Sequence, residues 1–589
     1  MTFHTMVLGS LCELRKIHCI RRREGIGCAK LEFPFRIFDL RRVTPVRDRL
    51  LLATRLLLAV IVGACIFAPN VLGADDKPVS RTDGAFFERQ PHADMGNGFF
   101  RNPVLGPGSD NTVVKVGSDY YMMAGGGWPD QLIWHSRDLV NWVPVTRTLR
   151  KFDGGAWASE ITYYKGKYYI YTTQSDPSRG NVGHHRSLLV PERSQGDKQW
   201  KNIVMWADHP EGPWSDPIDI GVYGLFDPGH VVDQQGNRYL YFNRGMMIRL
   251  APDGLSAVGE LKKVYDGWQY PKSWAVSCLC LEAPKLFFHN GYYYLTSAEG
   301  GTDGPTTAHM EVVARSKSVE GPWENSPYNP LVHNGSANNK WWRQGHGTIV
   351  QDDGGNWWML YTGFENGYTV MGKQSLLLPI EWTDDGWPRV PASASAENVL
   401  PKPAGENIGH GMPLSDNFSA NALGIQWVYP PSTKSEEAFK IGGGKLVMQA
   451  KGTVHGKDMV LPLDAAMLGV VPVNHSYEAE VEITVPDTAE AGLLLYSGGN
   501  NGTWASVGLH KGEVFRNGDH SDFVDSKDSH LFVRIRNLNY DITAFYSSDG
   551  KTWTQFEFAT YVSDGRRLTL YASGTGDVVF RNFKYHGMD

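Results

Sequence analysis

The sequence predicts an all-β protein: a five-bladed β-propeller followed by an antiparallel β-sandwich. The composition, with 65 Gly, 19 Trp and 12% aromatic residues in 589, is typical of turn-rich β-structure. A short cassette, a Gly turn followed by an aromatic strand, occurs five times in the first two thirds of the chain. The last third instead alternates apolar and charged residues with the period of a β-strand.

Residues 1–74 are predicted to be a basic leader followed by a secretion signal. Up to Arg55 there are 12 Lys or Arg against 5 Asp or Glu, and residues 56–73 are largely apolar and end in small residues. A basic segment, then an apolar segment, then small residues are the three parts of a secretion signal. They indicate cleavage near Gly73 or Ala74 and a secreted or periplasmic protein. A permanent membrane anchor is the alternative, and the "VGAC" ending at Cys65 resembles a bacterial lipobox, which would give a lipid-anchored protein.

The charge balance argues against a nucleic-acid partner. The chain carries a formal charge of -6, and the segment up to Arg55 contributes +7, which leaves -13 for the remainder. Binding a polyanion requires a cationic surface, so a neutral polymer is the better candidate.

After Cys65 the only cysteines are Cys278 and Cys280. An extended strand would not easily allow them to bridge, so no disulfide framework is expected.

The five cassettes predict the blades of the propeller. Gly supplies the positive φ of a tight hairpin, and the aromatic or β-branched run after it suits a buried strand. Five sheets without helical periodicity between them predict a propeller domain over residues 75–400; five hairpins on a sandwich are the alternative. The cassettes are "VGSDYYMM" at Val116, "KGKYYIYT" at Lys165, "QGNRYLYF" at Gln235, "NGYYYLTS" at Asn290 and "GGNWWMLY" at Gly354.

One ionisable residue stands eight to twelve residues before the first aromatic residue of each cassette: Asp110, Glu160, Asp227, Glu282 and His346. The strand leading into each hairpin is the innermost one of a propeller blade, so these side chains are predicted to converge on the mouth of the central channel. Such a ring of like charges offers no packing benefit and therefore indicates a functional site. Carboxylates that meet in an aromatic pocket are the usual apparatus for cleaving a glycosidic bond.

At these residues the chain resembles glycoside hydrolase family 43, whose members are inverting five-bladed-propeller enzymes acting on xylosides and arabinosides. "FRNPVLGPGSDNTVVKVGSDYYMM" is similar to the first-blade motif, which implies that Asp110 is the general base. "FDPGHVVDQQGNRYL" is similar to the middle motif, which implies that Asp227 orients the acid and modulates its pKa. "LEAPKLFFHNGYYYLTSAEGGT" resembles the acid motif and implies that Glu282 is the general acid.

The resemblance implies further site residues. Trp157, in "AWASEI", would line the sugar subsite, and His309 stands where some members have a substrate-contacting His. His346, in "RQGHGTIVQDDGG", would face a central metal ion, usually calcium, through water; no organic cofactor is implied. Glu160 belongs to the predicted ring of ionisable residues around the channel mouth, and it is predicted to contact a sugar hydroxyl.

The chain also departs from the family pattern. Asn111 follows Asp110 where Pro is usual, Ser159 replaces the Pro of "WAP", and Lys373 stands where Arg is common. A bidentate Arg contact would thereby become a single point charge. Glu299, in "SAEGG", is the rival of Glu282 for the acid role, but it follows its strand and should face another edge.

A Pro- and Gly-punctuated linker over residues 401–411 precedes a predicted sandwich domain over 412–589. In "SYEAEVEITV" the apolar and acidic residues alternate, which predicts a strand with one buried face and one solvated face. This region resembles the concanavalin-like sandwich appended to many family members. It would close one side of the pocket, bind polysaccharide or stabilise the fold. The apolar set is Ala479, Val481, Ile483 and Val485, and the acidic set is Glu478, Glu480 and Glu482.

These observations together predict an inverting, exo-acting glycosidase of the β-xylosidase or α-L-arabinofuranosidase type, working on hemicellulose-derived carbohydrate. The predicted partner is the carbohydrate substrate, and the sequence implies neither a nucleic-acid nor a protein partner. Two alternatives stay open: a non-catalytic carbohydrate-binding propeller, and a related five-bladed hydrolase acting on another sugar such as an algal galactan.

Overall fold

The structure is a computed structural model of the 589-residue chain. The predicted leader and secretion signal, with Cys65, lie outside the residues that it describes. No helix within the described part of the chain is long and apolar enough to cross a membrane. The described residues are 79–80, 92–108, 110–124, 131–148, 155–175, 200–428, 439–456, 458, 460–496, 503–518, 521–557, 559–562 and 567–588.

Five antiparallel sheets, each with its strands in chain order, form the five blades of the propeller. The described chain begins with β1 (Val79–Ser80), β2 (Phe99–Arg101) and β3 (Leu105–Gly108). Blade 1 contains β4 (Thr112–Val116), β5 (Asp119–Ala124), β6 (Leu132–Ser136) and β7 (Val143–Arg147). Blade 2 contains β8 (Gly155–Tyr164), β9 (Lys167–Ser175), β10 (Trp200–Ala207) and β11 (Ile218–Tyr223).

Blades 3 to 5 follow the same plan, with a short 3₁₀ helix at Asn243–Gly245 and another at Thr369–Met371. Blade 3 contains β12 (Gly229–Val232), β13 (Arg238–Phe242), β14 (Met246–Leu250) and β15 (Ala257–Lys263). Blade 4 contains β16 (Glu282–His289), β17 (Tyr292–Glu299), β18 (Met310–Ser316), β19 (Glu324–Asn325) and β20 (Val332–His333). Blade 5 contains β21 (Trp341–Gln351), β22 (Trp357–Glu365), β23 (Lys373–Trp382) and β24 (Pro388–Arg389).

Each predicted cassette forms the hairpin between the first and second strands of its blade. In blade 4, for example, the turn between β16 and β17 contains Gly291 with a φ of 83°, a conformation that Gly adopts without steric cost. The first strands β4, β8, β12, β16 and β21 pack against one another around the axis, so they are the inner strands, as the sequence predicts.

The N-terminal strands close the propeller. β3 adds to blade 5 by pairing with β23, and β2 pairs with β25 (Val399–Pro401), which follows the last blade. Strands from before the first blade therefore hold the last blade in place, which is how a propeller joins its ends without leaving a long free edge.

Two sheets form the C-terminal β-sandwich. The larger has the strand order β1-β36-β35-β34-β29-β39-β27-β26, with β37 paired to β35, and the smaller has the order β28-β38-β30-β31-β32-β33. β1 pairs with β36, so residues 79–80 contribute to the sandwich although the predicted propeller range of 75–400 includes them. The strands are β26 (Phe439–Gly442), β27 (Lys445–Gln449), β28 (Ala466–Val470), β29 (Ser476–Thr484), β30 (Ala489–Tyr496), β31 (Trp504–His510), β32 (Glu513–Asn517), β33 (Asp522–Asp525), β34 (His530–Leu538), β35 (Asp541–Ser547), β36 (Thr552–Gln555), β37 (Thr560–Tyr561), β38 (Arg567–Gly574) and β39 (Asp577–Gly587).

The acidic face of β29 is not solvated, which corrects the prediction of a wet face. Glu478 and Glu480 are buried. The strand register places them opposite Arg536 and Arg534 of β34, and Glu480 Oε2 lies 2.6 Å from a guanidinium nitrogen of Arg534. A buried carboxylate is tolerated when a charged partner and hydrogen bonds replace water. The alternation predicted the strand correctly, but it could not show that arginines cover its polar face.

The prediction that Cys278 and Cys280 cannot bridge is wrong. They form a disulfide with their Cα atoms 5.2 Å apart. The prediction assumed an extended strand at these residues, but the strand begins only at Glu282, and Cys280 has a φ of 40°. The resulting bend brings the two side chains together. A bridge between residues two apart closes only a small loop, so packing still has to stabilise the fold.

Candidate active site

A cavity of about 380 Å³ lies where the leading ends of several inner strands meet. It is lined by three carboxylates of the predicted ring, by aromatic side chains and by Lys373. The lining is drawn from all five blades and the segments between them, and its members are Asp110, Trp157, Trp200, Phe226, Asp227, Ser277, Cys278, Cys280, Glu282, Gly301, Thr302, Asp303, Phe364 and Lys373.

The three carboxylates occupy equivalent places in their blades. Asp110 and Asp227 each stand two residues before an inner strand, and Glu282 is the first residue of one. The register of β16 shifts between Glu282 and Lys285, and Asp227 and Ala283 have φ values of 55° and 54°. Irregular backbone of this kind turns a side chain away from the regular alternation, and it is frequent beside active sites.

Asp110 is held as a carboxylate by Lys373 and by the His346 ring. Burial alone would raise its pKa, but an ion pair with Lys373 Nζ and the nearby His346 ring outweigh burial and hold the pKa well below its usual range. Nδ1 of His346 lies 3.2 Å from Oδ1 of Asp110. A carboxylate that stays ionised in a partly enclosed site can accept a proton from water, which is the task of a general base.

Asp227 has the opposite character. Burial raises its pKa well above the ordinary value, and the nearby negative charges of Glu282 and Asp110 raise it further. These neighbouring charges oppose ionisation of Asp227, so this carboxyl group keeps its proton near neutral pH. The site therefore combines an ionised carboxylate with a carboxyl group that keeps its proton, the division of states that acid and base catalysis requires.

His309 lies against Glu282 from outside the cavity. Nε2 of His309 lies 3.3 Å from Oε1 of Glu282, and its Nδ1 lies 3.2 Å from the backbone oxygen of Arg343. His309 is fully buried and does not line the cavity. The structure thus places it against the predicted acid, where it can orient that carboxyl, and not in the cavity where sugar would bind.

Three aromatic residues form one wall of the cavity. The Trp157 ring lies 5.2 Å from that of Trp200 and 6.2 Å from that of Phe226, between ring centroids. Aromatic faces provide apolar area on which a sugar ring can stack. Trp157 lies where the sequence predicts, whereas Trp200 and Phe226 gave no separate signal, because aromatic residues occur throughout the blades.

Glu160 and His346 do not line the cavity. Oε2 of Glu160 accepts hydrogen bonds from Thr112 and from Lys285, so that oxygen already has two donors. His346 is buried against Asp110. Both lie on inner strands but in the interior of the propeller, so their predicted contacts with sugar and with a metal ion stay predictions.

The residues around His346 do not fit a calcium ion. Its Nδ1 faces Asp110, and burial lowers its pKa, with smaller contributions from the positive charges of Lys285 and Lys373. Calcium prefers six to eight oxygen ligands, and neighbouring ammonium groups oppose a second cation. Among the residues that the structure describes, no cluster of three or more His, Cys, Asp or Glu side chains could hold a metal ion.

Asn111 and Lys373 are two departures from the family pattern that the structure explains. The Asn111 amide donates to the Ser375 hydroxyl at 2.9 Å and to the backbone oxygen of Tyr361 at 3.3 Å. It therefore joins the start of blade 1 to blade 5 beside Asp110. Lys373 pairs with Asp110 across the same junction. Its side chain was notable in sequence only as a replacement for Arg, and its partner could not be identified there.

Comparison with known proteins agrees with this geometry. Residues 100–388 match the model of glycosyl hydrolases family 43. A non-reducing end alpha-L-arabinofuranosidase of Bacteroides ovatus is 29% identical over 355 residues, which cover 56% of this chain and 61% of that protein. A xylan 1,3-beta-xylosidase of a Vibrio species is 30% identical over 331 residues, covering 49% of this chain and 57% of that protein. The chain thus spans less than two thirds of the length of these curated relatives.

Solved structures support the fold. The GH43 protein BlXynB of Bacillus licheniformis superposes with a TM-score of 0.69 at 24% identity, over 83% of this chain and 100% of that one. A xylan beta-1,4-xylosidase of Bacillus halodurans superposes with a TM-score of 0.68 at 21% identity, over 82% and 99% of the two chains. Residues 100–388, which carry every predicted site residue, are thus similar to glycosyl hydrolases family 43 in sequence, and the chain shares the fold of these structures.

Proposed function

We propose that the protein is an inverting glycoside hydrolase that releases xylose or arabinose units from hemicellulose-type carbohydrate. The observation that carries the proposal is the meeting of Asp110, Asp227 and Glu282, from three different blades, in one aromatic-walled cavity. The opposite pKa shifts of Asp110 and Asp227 add to it, because they provide an ionised base and a retained proton in the same site.

In the proposed reaction, Glu282 gives its proton to the glycosidic oxygen as the bond to the anomeric carbon breaks. Asp110 takes a proton from water, whose oxygen forms the new bond to that carbon from the opposite face. Asp227 has the proposed role of orienting and modulating the acid, and Lys373 keeps Asp110 ionised. The products are a sugar with inverted anomeric configuration and a shortened alcohol.

The sugar preference is proposed from the relatives, whose names include an arabinofuranosidase and several xylosidases. The C-terminal sandwich is proposed to be concanavalin-like, as its two antiparallel sheets allow.

We also propose export from the cytoplasm. The predicted secretion signal supports it, and so does the Cys278–Cys280 disulfide, since such bonds persist in oxidising compartments.

A panel of aryl xylosides and arabinofuranosides, followed by NMR of the first-formed anomer, tests the reaction. Inversion is expected, and retention would contradict the roles of Asp110 and Glu282. Glu282→Ala should abolish hydrolysis of natural glycosides but spare substrates with very acidic leaving groups, because these need no proton. Equal loss on both substrate classes would remove Glu282 from the acid role. Binding without turnover across a panel widened to galactosides would favour a carbohydrate-binding module.

A further inference from the structure

A buried lysine stands on the inner strand of blade 4, three residues after the predicted acid. The Lys285 side chain is only 4% exposed. Its Nζ donates to Oε2 of Glu160 at 2.7 Å and lies 3.4 Å from the backbone oxygen of Pro228. A buried ammonium is costly unless it is paired and hydrogen-bonded, so these contacts determine whether the chain tolerates it.

The contacts of Lys285 come from different blades. Glu160 lies on β8 of blade 2, and Pro228 directly precedes β12 of blade 3. Thr112, the first residue of β4 in blade 1, donates its hydroxyl to the same Glu160 oxygen at 2.9 Å. The ammonium therefore links blade 4 to blades 2 and 3 directly, and to blade 1 through Glu160.

Blade 5 is joined to the same cluster by Glu311. This residue of β18 is fully buried, and its Oε2 accepts the backbone N–H of Gly347, on the inner strand β21, at 2.9 Å. Its Oε1 has no hydrogen-bond partner in the structure. Lys285 is close enough for its positive charge to act on Glu311 as well, so this residue connects blade 5 to the ammonium.

We propose that the Lys285 ammonium is the resident cation of the propeller channel, where it neutralises Glu160 and ties the blades together, so that the folded enzyme needs no divalent metal. This inference concerns the interior of the propeller and does not depend on which sugar the cavity accepts. One positive charge on the chain here performs the neutralising and bridging role that a bound ion could otherwise perform.

The native protein tests this directly. Purified protein should contain no stoichiometric calcium by elemental analysis, and its Tm and its hydrolytic rate should be the same after EDTA treatment as with added Ca²⁺. About one calcium per chain, or a fall in Tm with EDTA, would overturn the proposal. Because Tm and metal content do not depend on substrate, this result is separable from failure of the proposed reaction.

Variants test the charge itself. Lys285→Ala should have a lower Tm, since Glu160 is left buried without its cation, and the vacated space is lined by oxygen atoms that suit calcium. Added Ca²⁺ should therefore raise the Tm of Lys285→Ala by at least about 2 °C and leave that of the native protein unchanged. A Lys285→Ala protein as stable as the native one would contradict the proposal.

Arg238→Ala is the control. Arg238 of β13 is also a buried cation, but it donates to His230, to the backbone oxygen of Asp253 and to the Tyr171 hydroxyl, and these contacts include no carboxylate. This variant should lose stability without responding to Ca²⁺. An equal response in both variants would mean that the ion acts on any vacated cation site and would overturn the special role of the channel. The double variant Lys285→Met, Glu160→Gln should recover part of the Tm lost in Lys285→Met; no recovery would also contradict the proposal.

Discussion

Nε2 of His309 lies 3.3 Å from Oε1 of Glu282, while Nδ1 of the same ring lies 3.2 Å from the backbone oxygen of Arg343. A carbonyl oxygen can only accept a hydrogen bond, so in the neutral ring Nδ1 carries the hydrogen and Nε2 presents its lone pair to Glu282. Nε2 forms no hydrogen bond of good geometry, so the close contact of the ring with the carboxyl group makes His309 a positioning residue for the predicted acid.

His309→Ala is expected to lower kcat by about tenfold or more while KM changes little, because His309 orients the acid but does not line the cavity. Steady-state kinetics on an aryl xyloside and a natural oligosaccharide would measure this. The loss should be smaller on the substrate with the better leaving group, since less proton donation is needed there. A purely packing role would instead lower stability and leave the ratio of the two rates unchanged.

Lys373→Met should shift the acidic limb of the pH profile of kcat/KM to higher pH. Lys373 is the main charge that holds the pKa of Asp110 low against the effect of burial. Without Lys373 the pKa of Asp110 rises, so the base stays protonated up to a higher pH and the enzyme becomes active only at that higher pH. Lys373→Arg keeps the charge and serves as the control. An unchanged limb in Lys373→Met would separate Asp110 from the base role.

Glu299→Gln should stabilise the protein increasingly as the pH rises. Burial raises the pKa of Glu299 to about 8, while Oε1 accepts only the Trp268 N–H, at 2.6 Å. Between the ordinary carboxyl pKa near 4.5 and about 8, the unfolded chain releases this proton and the folded chain keeps it, so native stability falls with rising pH. The slope is at most about 1.4 kcal/mol per pH unit.

Urea unfolding of native protein and Glu299→Gln from pH 5 to pH 9 would measure that effect. The stability difference should widen up to about pH 8 and then stay constant. Because Glu299 does not line the cavity, the variant should also keep its hydrolytic activity, in contrast to Glu282→Ala. A constant stability difference across this range would show that Glu299 is ionised in the folded protein.

Glu480→Ala should destabilise the fold by about 3–5 kcal/mol, because it leaves the buried Arg534 without its carboxylate. Glu482→Ala, two residues along the same strand, is the control. Its ion-pair partners His530 and Arg581 are 44% and 36% exposed, so its loss should cost less than about 1 kcal/mol. Chemical denaturation would measure both, and equal costs would contradict the distinction between a buried and an exposed ion pair.

The sequence by itself determined the features that depend on neighbouring residues. A Gly turn followed by an aromatic run encodes each blade hairpin locally, so the cassettes at Lys165 and Asn290 could be recognised one at a time. The equivalent positions of Asp110, Asp227 and Glu282 followed from their similar distances, 10 to 12 residues, before the first aromatic residue of a cassette. The strand at 476–484 followed in the same way from its alternation, because side chains on a strand point to opposite faces.

Only the tertiary structure decided which charges meet. Lys373 and Asp110 are 263 residues apart, and Lys285 and Glu160 are 125 apart. No local pattern relates them, because closure of the propeller alone brings blade 5 beside blade 1 and blade 4 across from blade 2. Long-range strand pairing also decided that Arg534 covers Glu480. Whether a carboxylate is ionised or protonated depends on the charges that the fold brings close to it.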